Sequence, residues 1–111
     1  MKEYRNELGQ YHRVDGPAIE EPDGTKYWYQ NGNLHRDNGP ACEYASGTKV
    51  WCQNGIQHRI DGPAVEYYTG KGSWCLNGCE ITDDVETWLK LQGFTVPLDE
   101  PAQVLFILRF G

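Results

Sequence analysis

The block His-Arg-x-x-Gly-Pro-Ala occurs three times in this chain at a constant spacing of 23 residues, beginning at His12, His35 and His58. Each copy is followed in register by Glu (Glu20, Glu43, Glu66), Gly (Gly24, Gly47, Gly70), Trp (Trp28, Trp51, Trp74) and Asn-Gly (Asn31-Gly32, Asn54-Gly55, Asn77-Gly78). A unit this short cannot bury an apolar face alone and must stack on its neighbours, so the pattern commits the chain to a linear array. It also weakens the claim of any repeated residue to be an active site, because a group present in every copy belongs first to the scaffold.

The turn chemistry selects β-hairpins. Asn-Gly between aromatic and β-branched residues marks a type I′ turn, whose central residues both need positive φ. Asp23-Gly24, Ser46-Gly47 and Thr69-Gly70 give a second reversal in each repeat, and Gly-Pro a third. The reading is a mainly β fold: an antiparallel hairpin meander over residues 1–80, with a short helical cap over 81–111, in one structural domain. Tyr4 to Gly9 reads as a worn half-repeat, and the strand near Tyr4 to His12 as an unpaired sheet edge.

A register count sorts the faces. A two-residue Asn31-Gly32 loop sets Trp28 opposite His35, and the same count sets Trp51 opposite His58. If Ser46-Gly47 is also a two-residue loop, Cys42 lies opposite Trp51 and Tyr44 opposite Lys49. One face, expected to be buried, then carries Ile19, Cys42, Val65, the three Trp, Tyr44 and Tyr67, with His35 and His58. The other carries Ala18, Ala41, Ala64, the repeat Glu residues and Arg13, Arg36 and Arg59. A loop one residue longer flips this assignment.

After Asn77-Gly78 the pattern changes. Thr82 or Asp83 can cap a helix in which Val85, Trp88 and Leu89 share a face and Gly93 is a natural stop. Asp99-Glu100-Pro101 can start a second helix through about Arg109. Val104 to Leu108 is apolar on all sides and would also serve as a buried strand; helix is favoured.

Charge and composition narrow the function. With 10 Lys+Arg against 16 Asp+Glu, the net charge of −6 opposes a phosphate backbone, so direct nucleic-acid binding is not expected. No apolar run nears the ~20 residues of a membrane span and no secretory leader precedes the repeats, which points to a cytoplasmic chain with free thiols at Cys42, Cys52, Cys75 and Cys79.

Neither a metal nor a cofactor is expected. Equivalent histidines of successive repeats stand about 9.5 Å apart at ~4.8 Å per strand, whereas ligands of one zinc ion lie within ~4 Å of each other. The expected role of each His is to stack on the cross-strand Trp with its ring nitrogens bonded to turn backbone. Arg and Glu are expected to pair in a ladder of small individual energies. Cys52, Cys75 and Cys79 are the candidates for covalent catalysis, but the register puts Cys52 on the opposite face from His58, and no His follows Cys75 or Cys79.

No catalytic residue is assigned. Scaffold positions recur, whereas a recognition surface need not, so the candidate partner-binding residues are non-repeated ones near the hairpin tips: Tyr27, Tyr29, Gln53, Ile56, Gln57, Tyr67, Tyr68 and Lys71.

The run Trp51-x-x-Asn54-Gly55-x-x-His58-Arg59-x-Asp61-Gly62-Pro63-Ala64 resembles a MORN-like repeat variant of bacteriophage type. The resemblance covers about Arg5 to Glu80 and implies a β-hairpin array followed by a helical tail. It brings no catalytic residue, and the His-Arg and Gly-Pro-Ala elements depart from the Gly-Tyr-rich pattern of lipid-associated MORN proteins. The function expected is a non-catalytic protein-interaction module, phage-encoded, that binds and inhibits a host or defence factor in the host cytoplasm. The edge of the first strand also offers a route to homo-oligomerisation. The alternatives are an acidic mimic of nucleic acid and a thiol- or His-dependent enzyme.

Overall fold

A computed structural model describes all 111 residues. Its strands are two-residue segments set by the turns between them. They are β1 (Lys2–Glu3), β2 (Ile19–Glu20), β3 (Lys26–Tyr27), β4 (Tyr29–Gln30), β5 (Asn33–Leu34), β6 (Cys42–Glu43) and β7 (Lys49–Val50). There follow β8 (Cys52–Gln53), β9 (Ile56–Gln57), β10 (Val65–Glu66), β11 (Gly72–Ser73), β12 (Cys75–Leu76) and β13 (Cys79–Glu80). Two helices close the chain, α1 (Thr82–Gln92) and α2 (Glu100–Phe110).

The mainly β hairpin architecture is as expected, but it is not one meander. The chain leaves strand conformation at each Trp and divides the pairing between two regions. Strands β1-β2-β3-β6-β7-β10-β11 make one antiparallel sheet, while β4-β5, β8-β9 and β12-β13 are separate hairpins around the Asn-Gly turns. Asn31, Asn54 and Asn77 have φ of 50°, 51° and 49°, each before a left-handed Gly, which is the type I′ geometry. Consecutive hairpins are tied by Gly32 N–H to Tyr11 O, Gly55 N–H to Leu34 O and Gly78 N–H to Gln57 O. The array is long and thin, 47 × 27 × 21 Å including the cap.

The worn half-repeat is present. Tyr4 stands where later copies have Trp: its N–H donates to Ala18 O, as Trp28 donates to Ala41 O and Trp51 to Ala64 O. His12 N–H returns to Tyr4 O as His35 does to Trp28 O. A three-residue loop, Glu7-Leu8-Gly9 between paired Asn6 and Gln10, replaces Asn-Gly. β1 pairs only with β2 and leaves Lys2 and Glu3 exposed, so the sheet edge is charged.

The expected register fails at the second turn. Tyr44 N–H donates to Thr48 O and Gly47 N–H to Tyr44 O, so Ala45-Ser46-Gly47 is a three-residue loop with its glycine left-handed, a type I turn with a G1 bulge. Cys42 therefore faces Val50 rather than Trp51, and Glu43 rather than Tyr44 faces Lys49. The alanines assigned to the open face, Ala18, Ala41 and Ala64, are wholly buried. Ile19, Cys42, Val65 and Trp74 are buried as expected, but Trp28 and Trp51 are only half-buried and Tyr44 and Tyr67 are exposed. With both sides of these strands packed, simple in–out alternation does not apply.

The cap ends the array by chemical substitution. Ile81-Thr82 occupies the place of His-Arg, and Ile81 N–H makes the usual bond to Trp74 O. Trp74 N–H, with no following Ala carbonyl to meet, donates instead to Thr82 Oγ1 at 3.0 Å. Neither Thr82 nor Asp83 caps α1; Ile81 is its N-cap residue and has no side-chain capping bond. Gly93 ends α1 in the left-handed region, and Asp99 caps α2 by accepting from Ala102 N–H at 3.0 Å. Residues 99–109 are thus helical apart from the Asp99 cap. The apolar core lies here, made by Trp74, Leu76, Val85, Leu98, Ala102 and Phe106.

Candidate functional site

The repeated block assembles around its arginine. The guanidinium of Arg36 lies 3.9 Å from the ring centre of Trp28, that of Arg59 lies 3.8 Å from Trp51, and that of Arg13 lies 4.2 Å from Tyr4. The other side of the same group is closed by the glycine of Gly-Pro-Ala. A Cβ on Gly39 would stand 2.9 Å from Arg36 Cζ, and one on Gly62 only 2.6 Å from Arg59 Cζ. These glycines recur to admit a close approach, since none of the three has positive φ. Within the sandwich each Nη1 donates to the proline carbonyl of its own block, at 3.2 Å for Pro17, 3.2 Å for Pro40 and 3.0 Å for Pro63. The repeat Glu completes the set: Arg13–Glu20 at 3.9 Å, Arg36–Glu43 at 3.6 Å, and Arg59–Glu66 in hydrogen-bond contact. A cation–π stack in this half-buried setting contributes about 1 kcal/mol.

The histidines do half of what was expected of them: a ring nitrogen bonds turn backbone, but the group stacked on the aromatic ring is the arginine. The Nδ1 atoms of His12, His35 and His58 accept from the N–H of Asn31, Asn54 and Asn77, the turn of the next repeat, at 3.0, 3.1 and 3.1 Å. Thr25 and Thr48 latch neighbours in the same way, their hydroxyls accepting from Ala45 and Tyr68 N–H. With Nδ1 committed to backbone, the imidazole is a structural acceptor. No group of three or more His, Cys, Asp or Glu converges as metal ligands.

Across the sheet, the repeat Glu residues do not form a row of like charge. Register places Lys2, Glu20, Lys26, Glu43, Lys49 and Glu66 side by side, alternating in sign. The thiols are subdued. Burial pushes Cys42 up to about 11 and raises Cys52 and Cys75 for the same reason, while Cys79 is exposed. Cys75 Sγ donates to Gln57 Oε1 at 3.4 Å, and Cys52 faces Gln57 in the hairpin. A raised thiol is a poor nucleophile near neutrality.

The candidate partner-binding residues fall into two groups. Ile56, Gln57, Tyr67, Tyr68 and Lys71 are exposed, Tyr68 at 71%. Tyr27, Tyr29 and Gln53 are partly buried and engaged inside the array. Tyr27 packs edge-on against Tyr44, Tyr29 lies 5.4 Å from Tyr11, and Gln53 donates to Arg36 O. Desolvation raises Tyr27, Tyr29 and Tyr44 above the ordinary phenol value.

Two further surfaces were not singled out from sequence. One is the outward face of α2, where Val104, Leu105, Ile107 and Leu108 are exposed while Ala102 and Phe106 face the core. The all-round apolar run from Val104 to Leu108 was the available signal, because a helix at the end of a domain buries one side only. The other is a groove of about 910 Å³ between the second and third blocks, lined among others by Arg36, Asn38, Trp51, Gln53 and His58. No helix is long and apolar enough to cross a membrane. No family model, curated protein or solved structure matches this chain.

Proposed function

We propose that this protein is a non-catalytic module that acts by binding another protein. The observation that carries the reading is the outward face of α2. Its four apolar side chains are 45–78% exposed on a helix whose inner side is already anchored by Phe106. A contiguous apolar face of this kind often marks a contact surface. A helix of 11 residues is about 16 Å long at ~1.5 Å per residue. Pairing with the same helix of a second copy alone would fall well short of the roughly 1,600 Å² of a stable interface. The fitting occupant is an apolar groove on a different protein that surrounds the helix.

The MORN-like resemblance narrows the proposal to a phage-encoded protein that inhibits a host or defence factor in the host cytoplasm. The alternatives draw less support. Nucleic-acid mimicry through the Glu face would need a run of like charges, and a lysine separates each repeat Glu from the next. Thiol catalysis would need an activated cysteine, and the buried ones are shifted the other way.

The test is affinity capture from bacterial lysates with the wild-type chain and with a Val104→Asp/Leu108→Asp variant, read by mass spectrometry. Both changes are at exposed positions, so the fold is expected to persist, checked by circular dichroism. A protein enriched by the wild type and lost by the variant supports the reading. Capture that is unaffected by the variant, or the absence of any enriched protein across several hosts, counts against it.

A further inference from the structure

The three blocks differ at one chemically consequential place. In the first and third, Nε of the arginine is held by an aspartate two residues on: Arg13 to Asp15 at 3.0 Å and Arg59 to Asp61 at 2.7 Å. In the second that position is Asn38, and Arg36 makes no side-chain hydrogen bond through Nε or Nη2. The neighbouring Asp37 does not substitute, because its Oδ1 sits 2.8 Å from His35 Nε2. Arg36 nevertheless keeps its inner contacts to Pro40 O, Glu43 and the face of Trp28, so its guanidinium is fixed in place with one edge open.

Arg36 and Asn38 both line the groove between the second and third blocks. The Arg36 side chain is 30% exposed, against 27% for Arg13 and 11% for Arg59, so what sets it apart is the missing aspartate and not its exposure. Nε–H and Nη2–H of a guanidinium point the same way in one plane and match the two oxygens of a carboxylate. The groove also presents the indole of Trp51, the side chain of Ile56 and the carboxamides of Asn54 and Asn77. Carboxamides can pair with both the N–H and the C=O of an extended peptide.

We propose that this groove binds a segment of a partner protein through a single Asp or Glu, whose carboxylate takes the place on Arg36 that Asp15 and Asp61 hold in the other blocks. The inference rests on the reading of the chain as a protein-binding module. One carboxylate, rather than an acidic run, is specified by charge. Asp61 and Asp37 are already paired at the rim, and the net charge of −6 repels a polyanion at long range.

The repeat supplies its own controls. Arginine Nε–Hε resonances of ¹⁵N-labelled protein are followed while acetyl-Gly-Glu-Gly-amide is added, with acetyl-Gly-Gln-Gly-amide, sodium phosphate and a capped tri-glutamate peptide as comparisons. The expected result is a saturable shift of Arg36 alone, with Arg13 and Arg59 still, no response to the Gln peptide, and no tighter binding of tri-glutamate. Asn38→Asp, which restores the carboxylate of the other blocks, is expected to weaken binding about tenfold or more, the scale of a charge-assisted bond. The proposal is overturned if Arg36 does not respond, if all the arginines shift in parallel, if phosphate acts as strongly as the Glu peptide, or if Asn38→Asp titrates like the wild type. Any of these results, with capture still lost in the α2 variant, removes the groove from the account and leaves the interaction module standing.

Discussion

Trp51 and Trp74 occupy the same position one repeat apart, and they are covered by opposite chemistry. Trp51 lies under the guanidinium of Arg59, whereas Trp74 has Phe106 at 5.3 Å and no arginine above it. The array therefore holds together by small, repeated and largely polar devices: a stacked cation, a histidine latch and a threonine latch. The cap holds together by a conventional apolar core in which Phe106 touches the rings of Trp74, Trp88 and Phe110, and Trp88 also touches Phe110. A polar interface can be copied again and again because each copy ends on a surface like the one it started from. An apolar one terminates the series.

The largest way to break this contrast is Phe106→Ala. The side chain is fully buried, and its loss is expected to cost about 3–5 kcal/mol in denaturant unfolding. Hydrogen exchange should show the loss first in α1 and α2, with amides such as Trp28 and Ala41 in the array still protected. Uniform loss across the whole chain would mean the two regions are not separate in stability.

Alkaline pH acts on the other region. The Cys42 thiol is raised from 9.0 to about 11, chiefly by desolvation, so the folded state favours its protonated form. Its contribution is intact below pH 9 and is lost as the pH rises toward 11, on the order of 2 kcal/mol for this site. Cys52 and Cys75 act in the same direction. The denaturation midpoint should be lower at pH 10.5 than at pH 8, and Cys42→Val, which copies the third repeat, should reduce that difference. An equal fall in the variant would assign the effect to other groups.

Much of the array was legible in its sequence because turn chemistry is local. Asn-Gly specifies its own backbone, and that alone set Trp28 across from His35 and Trp51 across from His58. The half-repeat at Tyr4 and the stop at Gly93 were legible for the same reason. The Ser46-Gly47 turn was not, since Ser-Gly suits either a two-residue loop or the last two places of a three-residue one. One residue of slip reverses the faces.

Roles that depend on distant geometry were also hidden. Gly39 looked like a turn residue, but its task is to leave room for Arg36. Thr82 looked like a helix cap, but its hydroxyl is used on Trp74. The open edge of Arg36 was written plainly as Asn38 among aspartates, yet it acquires meaning only once Asp15 and Asp61 are seen to bond the equivalent arginines.

The claim that the repeated block is a folding device built on a guanidinium between an aromatic ring and a glycine is tested most directly by a double-mutant cycle at Gly62 and Arg59. In the wild-type background Gly62→Ala should displace the guanidinium and cost about 1–3 kcal/mol. The backbone at Gly62 has no positive φ to oppose alanine. Once Arg59→Ala has vacated the space, the same substitution should become stabilising by about 0.4–1 kcal/mol through the unfolded chain. That reversal of sign, measured by urea unfolding of the four proteins, is the predicted result. An equal loss in both backgrounds would show that the glycine serves the backbone rather than the arginine, and would contradict the account.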